Sequence, residues 1–152
     1  MKVLIIDDSP RRYSKLVGEV KKIDGLSVKD IEVVSSIEDA EEKVDSLLYD
    51  LVVLDILIPY SNVDEEDKQN SIEFLEYLHS GCRNKPKRII GISSDKQLLD
   101  EVSHIFSSKS WTVIEYSDVS DEWLHKILAC INYALGNKLS LKSKHVFFSE
   151  LV

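Results

Sequence analysis

Short apolar runs alternate along this chain with longer stretches in which apolar positions recur every three or four residues. That alternation predicts repeated strand and helix units around a mostly parallel sheet. The runs are Lys2 to Ile6, Ile31 to Val34, Leu51 to Leu54, Arg88 to Ile92 and Thr112 to Glu115. They lack a clean polar alternation, as expected of strands covered on both faces. Five strands result, each followed by a helical segment.

The first helix is expected to start with Ser9 as N-cap and Pro10 in the first helical position, with Tyr13, Leu16, Val17, Val20 and Ile23 on one face. Three later helices open on a capping-box pattern, at Ser35 with Glu38, Asn70 with Glu73 and Ser94 with Gln97. Their apolar faces carry Ala40, Val44, Leu47 and Leu48, then Phe74, Leu75 and Leu78 before Gly81, then Leu98, Val102, Ile105 and Phe106. The fifth runs from about Ser120 to Leu135, with Leu124, Ile127, Leu128, Ile131 and Leu135 inward and Gly136 placed as a terminating cap. Gly91, inside the fourth strand, marks close approach of another backbone or relieves crowding beside a helix.

Two segments stand outside the pattern. Tyr60 to Gln69 contains Asp64-Glu65-Glu66-Asp67 and no hydrophobic period, so it reads as a solvated acidic loop insertion, with shielding or docking at the neighbouring site as alternatives. Residues 137–152 end in Phe147-Phe148-Ser149-Glu150-Leu151-Val152 and read as a tail, a dimer arm or the start of a linker. One domain, residues 1–136, is expected from the 152-residue length.

With 43% hydrophobic residues the chain can bury a core. Lys plus Arg number 19 against 27 Asp plus Glu, a net charge of −8. That excess argues against direct nucleic-acid binding, since Lys85-Pro86-Lys87-Arg88 is a small basic footprint. Cys82 and Cys130 are isolated and suggest neither a disulfide framework nor a zinc site. No stretch approaches the roughly 18 apolar residues of a membrane span. A cytoplasmic protein without membrane attachment is expected.

In an open parallel sheet, ligands bind beyond the carboxyl ends of the strands. Here those ends are acidic: Asp7-Asp8 follows the first strand and Asp55 ends the third, while Ser93 ends the fourth. Carboxylates converging on one edge repel, and a hard divalent cation with oxygen ligands, such as Mg2+, relieves that repulsion. The glycines form neither GxGxxG nor a Walker loop, and no GxSxG elbow occurs. His79, His104, His125 and His145 are scattered, and Glu122 with His125 reads as a solvated helical contact.

Three stretches resemble the receiver domain of two-component response regulators: Val3 to Ser9, Tyr49 to Pro59, and Arg88 to Ser94, set within the five strand-helix units. The resemblance covers roughly residues 2 to 135. It implies a doubly wound α/β fold, a flavodoxin-like (βα)5 with a five-stranded parallel sheet in the order 2-1-3-4-5. It also implies that Asp55 accepts a phosphoryl group from a sensor histidine kinase or phosphotransfer protein, in a Mg2+-dependent reaction, and signals to a partner or output domain. Asp8 then resembles the direct metal ligand and Asp7 the one acting through water. The Leu57 carbonyl completes the protein ligands, and Ser93 donates its hydroxyl to the bound phosphoryl group. Pairing as a homodimer is a further family habit.

The sequence departs from the family at the fifth strand. A lysine is expected at its end, yet the positions available are Glu115 and Tyr116, and no proline follows. Lys96 and Lys109 are the basic residues considered as substitutes in space. The aromatic position that many receivers carry in this strand is Thr112 or Val113, which leaves Trp111 and Tyr116 as the aromatics able to move or merely to pack. These departures support an alternative: an atypical pseudo-receiver, working as a phosphorylation-independent interaction module. An aspartyl phosphatase is disfavoured because Asp7-Asp8-Ser9 lacks the DxD spacing.

Overall fold

A computed structural model of the chain describes residues 1–151, with side chains through residue 136. Five parallel strands, β1 (Val3–Ile6), β2 (Ile31–Val34), β3 (Leu51–Asp55), β4 (Ile89–Ser93) and β5 (Thr112–Glu115), form one sheet in the order β2-β1-β3-β4-β5. Every residue of β1, β3 and β4 is buried, whereas the edge strands are partly exposed. This is the burial expected of a sheet covered on both faces.

Side-chain alternation divides the core in two. Leu4, Ile6, Val52, Leu54 and Ile89 point to one face, where they pack with α2 (Ile37–Ser46), α3 (Lys68–Glu76) and α4 (Lys96–Ser108). Val3, Ile5, Leu51, Val53, Ile90 and Ile92 point to the other, against α1 (Ser14–Val20) and α5 (Glu122–Leu151). Period two in the strands thus assigns each apolar residue to a layer.

Helix starts differ from those the sequence suggested. The caps are Ser36, Asp67 and Asp95, whose side chains accept from the backbone N–H groups of Asp39, Gln69 and Leu98. Ser35 instead donates to Asn62 Oδ1, and Asn70 donates to the carbonyl of Ile58 at 2.9 Å. Ser9 precedes a 3-10 turn (Pro10–Tyr13) and makes no side-chain cap. At the other end, α2 stops at Ser46, so Leu47 and Leu48 stay exposed. A π-helical turn over Tyr77–Gly81 closes α3. Gly136 does not end α5, because it lacks the positive φ of a terminating cap and the helix continues to Leu151. The side chains of the expected tail lie outside the described residues.

The acidic segment is exposed but not irregular. Ile58–Pro59 pairs antiparallel with Glu66–Asp67, and the enclosed tip is tied by Ser61 donating to Asp64. The hairpin is fastened over the start of α2, where the Glu38 N–H donates to the Tyr60 carbonyl at 2.8 Å.

Gly91 is required by packing. A Cβ there would lie 2.6 Å from Phe106 Cζ and 2.9 Å from Ile56 Cδ1, inside van der Waals contact. Phe106 is fully buried beneath α4, so its ring has little room to yield. Gly91→Ala is expected to cost about 1–3 kcal/mol, read from the urea midpoint, and Phe106→Leu in the same chain to recover part of it. An unchanged midpoint in Gly91→Ala contradicts this packing.

Candidate functional site

The sheet ladder sets the site. Asp7 follows β1, and its N–H donates to the Val34 carbonyl at 2.9 Å; Asp55 is the last residue of β3 and pairs with Ile92. Ser93, the next residue along β4, pairs with Glu115, and its carbonyl accepts from the Tyr116 N–H. Because parallel strands end together, these groups are brought to one edge by backbone pairing.

Carboxylate oxygens of Asp7, Asp8 and Asp55 lie within 4.8 Å of one another. Asp7 is fully buried and Asp55 only 7% exposed, while Asp8 faces solvent. Burial and the charge of Asp7 push the Asp55 carboxyl up to about 8, and the Leu57 N–H and the Arg12 guanidinium only partly offset them. Burial also raises Asp7, against hydrogen bonds from Tyr13 and Ser9.

The donors around these acids are unequal. Asp7 Oδ1 accepts the Ser9 N–H at 2.8 Å, and Oδ2 accepts both the Tyr13 hydroxyl at 2.7 Å and Arg12 at 3.1 Å. Asp55 accepts one bond among the described residues, from the Leu57 N–H to Oδ1 at 3.2 Å. Ser93 Oγ accepts from the Asp95 N–H at 3.1 Å, which leaves its proton to give elsewhere.

Fit to a divalent cation can be judged from this donor set. Hard oxygen donors, two of them buried and only Asp7 paired with a cation of the chain, suit Mg2+. Asp7, with both oxygens engaged by the chain, is suited to act through water, and Asp8 and Asp55 remain for direct ligation.

Sequence reasoning placed Tyr116 at the end of the fifth strand but did not assign Arg12 or Tyr13 to this edge. Tyr13 was read as an apolar face residue, and it is buried, but its hydroxyl belongs to Asp7. The Arg12 guanidinium stands 4.1 Å above the centre of the Tyr116 ring. Tyr116 in turn packs against Trp123, tilted by 58° with ring centres 5.0 Å apart, and Trp123 meets Tyr13 edge to face at 5.8 Å. Trp111 packs on Phe106 and His79 instead, on the other side of the sheet. Neither substitute lysine joins the acids. Lys96 lies 3.9 Å from Glu115, and Lys109 caps the far end of α4.

Solved structures with this fold include response-regulator receiver domains. The phosphorylated cyanobacterial phytochrome response regulator RcpA superposes with a TM-score of 0.67 over 90% of this chain and 94% of its own, at 15% identity. A Francisella response-regulator receiver domain gives 0.61 over 90% and 98%, at 19% identity. The beryllofluoride-activated NtrC4 receiver domain dimer gives 0.58 over 88% and 98%, at 16% identity. This chain has the receiver-domain fold. The likeness is one of architecture. No family model matches the sequence. A curated relative, the uncharacterized protein y4jS of Sinorhizobium fredii, is 21% identical over 134 residues, and the chain spans 32% of that relative's length. Among the described residues no helix is long and apolar enough to cross a membrane.

A pH dependence follows from the buried acids of this receiver fold. Asp55 holds its proton to about 8 when folded and releases it near 3.8 when unfolded. Between those values the folded state binds the extra proton, so this group's contribution falls as pH rises through the window. In EDTA, Asp55→Asn should raise stability at pH 8 by about 1–3 kcal/mol and flatten the slope. Denaturant titrations at several pH values check this, and a destabilised Asp55→Asn protein contradicts it.

Proposed function

We propose that this protein accepts a phosphoryl group on Asp55, from a phosphohistidine of a sensor kinase or phosphotransfer protein, and signals through the modified state to a partner or output domain. The observation that carries the reading is the position of Asp55. It is a nearly buried carboxylate at a strand end, within 4.8 Å of two further aspartates, with a single hydrogen bond to its own backbone. Such a group is held in place and carries a free oxygen for attack.

In the transfer, a carboxylate oxygen of Asp55 forms the new P–O bond while the P–N bond of the donor breaks. The imidazole leaves and takes a proton from solvent, and the product is an acyl phosphate. Asp8, Asp55 and the Leu57 carbonyl would hold Mg2+, with Asp7 acting through water, and the bound ion would neutralise charge on the phosphoryl oxygens. The Leu57 N–H fixes the Asp55 carboxylate plane, and the Ser93 hydroxyl turns its proton toward the arriving group. That last bond exists only in the modified state and so distinguishes it.

Support comes from two neighbours in fold whose names state the chemistry: RcpA is phosphorylated, and the NtrC4 receiver domain is beryllofluoride-activated and a dimer. Homodimer formation is accordingly part of the proposal. A phosphorylation-independent interaction module is the second reading. It is favoured by the saturation of Asp7 by the chain's own donors and by the acidic hairpin that directly follows Asp55.

Intact-protein mass spectrometry after incubation with acetyl phosphate and Mg2+ separates the two. The expected result is one phosphoryl adduct on the native chain, absent from Asp55→Asn and abolished by EDTA. A folded, Mg2+-binding chain that takes no adduct from acetyl phosphate or from a phosphohistidine donor rejects phosphotransfer.

A further inference from the structure

Charge at the acid edge does not balance without a cation from the chain. Three carboxylates converge there, and phosphorylation exchanges the single charge of Asp55 for the two of a phosphoryl dianion beside Asp7 and Asp8, which a single divalent ion does not neutralise. The end of β5 supplies none, because the residue paired with Ser93 is Glu115 and it turns outward toward Lys96. Lys68, at the start of α3, is held 2.7 Å from Glu101. Among the described residues, Arg12 alone makes an ion pair with an aspartate of the cluster.

We propose, on the basis of the Asp55 acceptor reading, that Arg12 is the phosphoryl-binding cation of this receiver. It sits in the turn after β1, which is a different origin from the fifth-strand lysine that the family resemblance led one to expect. Its side chain is 18% exposed and held between Asp7 on one side and the Tyr116 ring on the other. A guanidinium can keep one N–H on Asp7 and offer others to phosphoryl oxygens, which a carboxylate neighbour less than 5 Å away brings within reach.

The same move gives the site a route outward. When the guanidinium turns to the phosphoryl oxygens, the Tyr116 face loses its cation, and Tyr116 is the ring against which Trp123 of α5 packs. The modified state is therefore read at the β5 to α5 junction, through Arg12.

The test uses beryllofluoride as the phosphoryl probe, titrated in Mg2+ against the full chain carrying Trp111→Phe, so that Trp123 is the sole indole. Beryllofluoride should shift Trp123 emission in this chain. Arg12→Gln should bind the probe about tenfold more weakly, the loss of one charge-assisted bond, with the shift abolished. Its Mg2+ affinity by calorimetry should rise severalfold, because a repelling charge has gone. Arg12→Lys should keep part of the probe affinity. Opposite changes in the two affinities are not produced by a merely structural role. Probe binding unchanged in Arg12→Gln overturns the proposal, as does parallel loss of both affinities in Arg12→Gln and Arg12→Lys. So does a weakening seen only in Lys68→Gln or Lys96→Gln. Failure of the native chain to form an Asp55 adduct or bind the probe removes the acceptor reading and this one with it; failure in the Arg12 variants' predicted pattern alone removes only this one.

Discussion

Two buried carboxylates clustered with a third, their oxygens within 4.8 Å, are the constraint on which this structure turns. Asp7 and Asp55 lie where water is nearly excluded; burial raises the cost of ionising both, and the charge of Asp7 adds to the cost at Asp55. Such an arrangement carries no advantage for folding, because apolar replacements of similar size would remove the repulsion. It persists because parallel strands that pair in register finish together and expose one edge. The chain then answers with Ser9, Tyr13, Arg12 and the Leu57 N–H, which satisfy Asp7 fully and Asp55 in part. The remaining deficit is what makes the edge a receptor for a cation and for chemistry on Asp55.

The rest of the fold keeps that edge in place. Two apolar layers clamp the central strands, and Gly91 lets the Phe106 ring press against β4 behind the site. Ser71 donates to the Ile56 carbonyl at 2.6 Å and Asn70 to that of Ile58, so α3 fastens the loop that follows Asp55. On the opposite face, Tyr13, Trp123 and Tyr116 form an aromatic link from Asp7 to α5. Rigidity is thus concentrated around Asp55, while Arg12 and Tyr116 occupy the boundary with solvent, where a charged side chain can be exchanged between partners at small cost.

Much of this was legible in the pattern of apolar residues. Ile31 to Val34 and Thr112 to Glu115 match their strands, the first and third differ by one residue at one end, and the fourth is shifted by one residue at both ends; short apolar runs of this kind fit a covered parallel sheet. The acids at the strand ends were visible for the same reason. Helix starts were less so, since Ser35 and Ser36, or Ser94 and Asp95, offer equivalent local chemistry. A distant contact, such as the Glu38 N–H on the Tyr60 carbonyl, accompanies one choice. Arg12 and Tyr13 were hidden by the 3-10 turn over Pro10–Tyr13, which breaks the 3.6-residue period and presents both side chains to Asp7. A helical wheel assigns the first to solvent and the second to the core.

The account's central claim is that the strand-end carboxylates form one metal and phosphoryl site. A crystal of the native chain grown with Mn2+ and beryllofluoride addresses it directly. The prediction is an anomalous peak at oxygen-ligand distance from Asp8 and Asp55, with beryllium on an Asp55 oxygen and the Arg12 guanidinium turned to its fluorides. A peak seated elsewhere, or beryllofluoride absent from Asp55 in an intact fold, contradicts it.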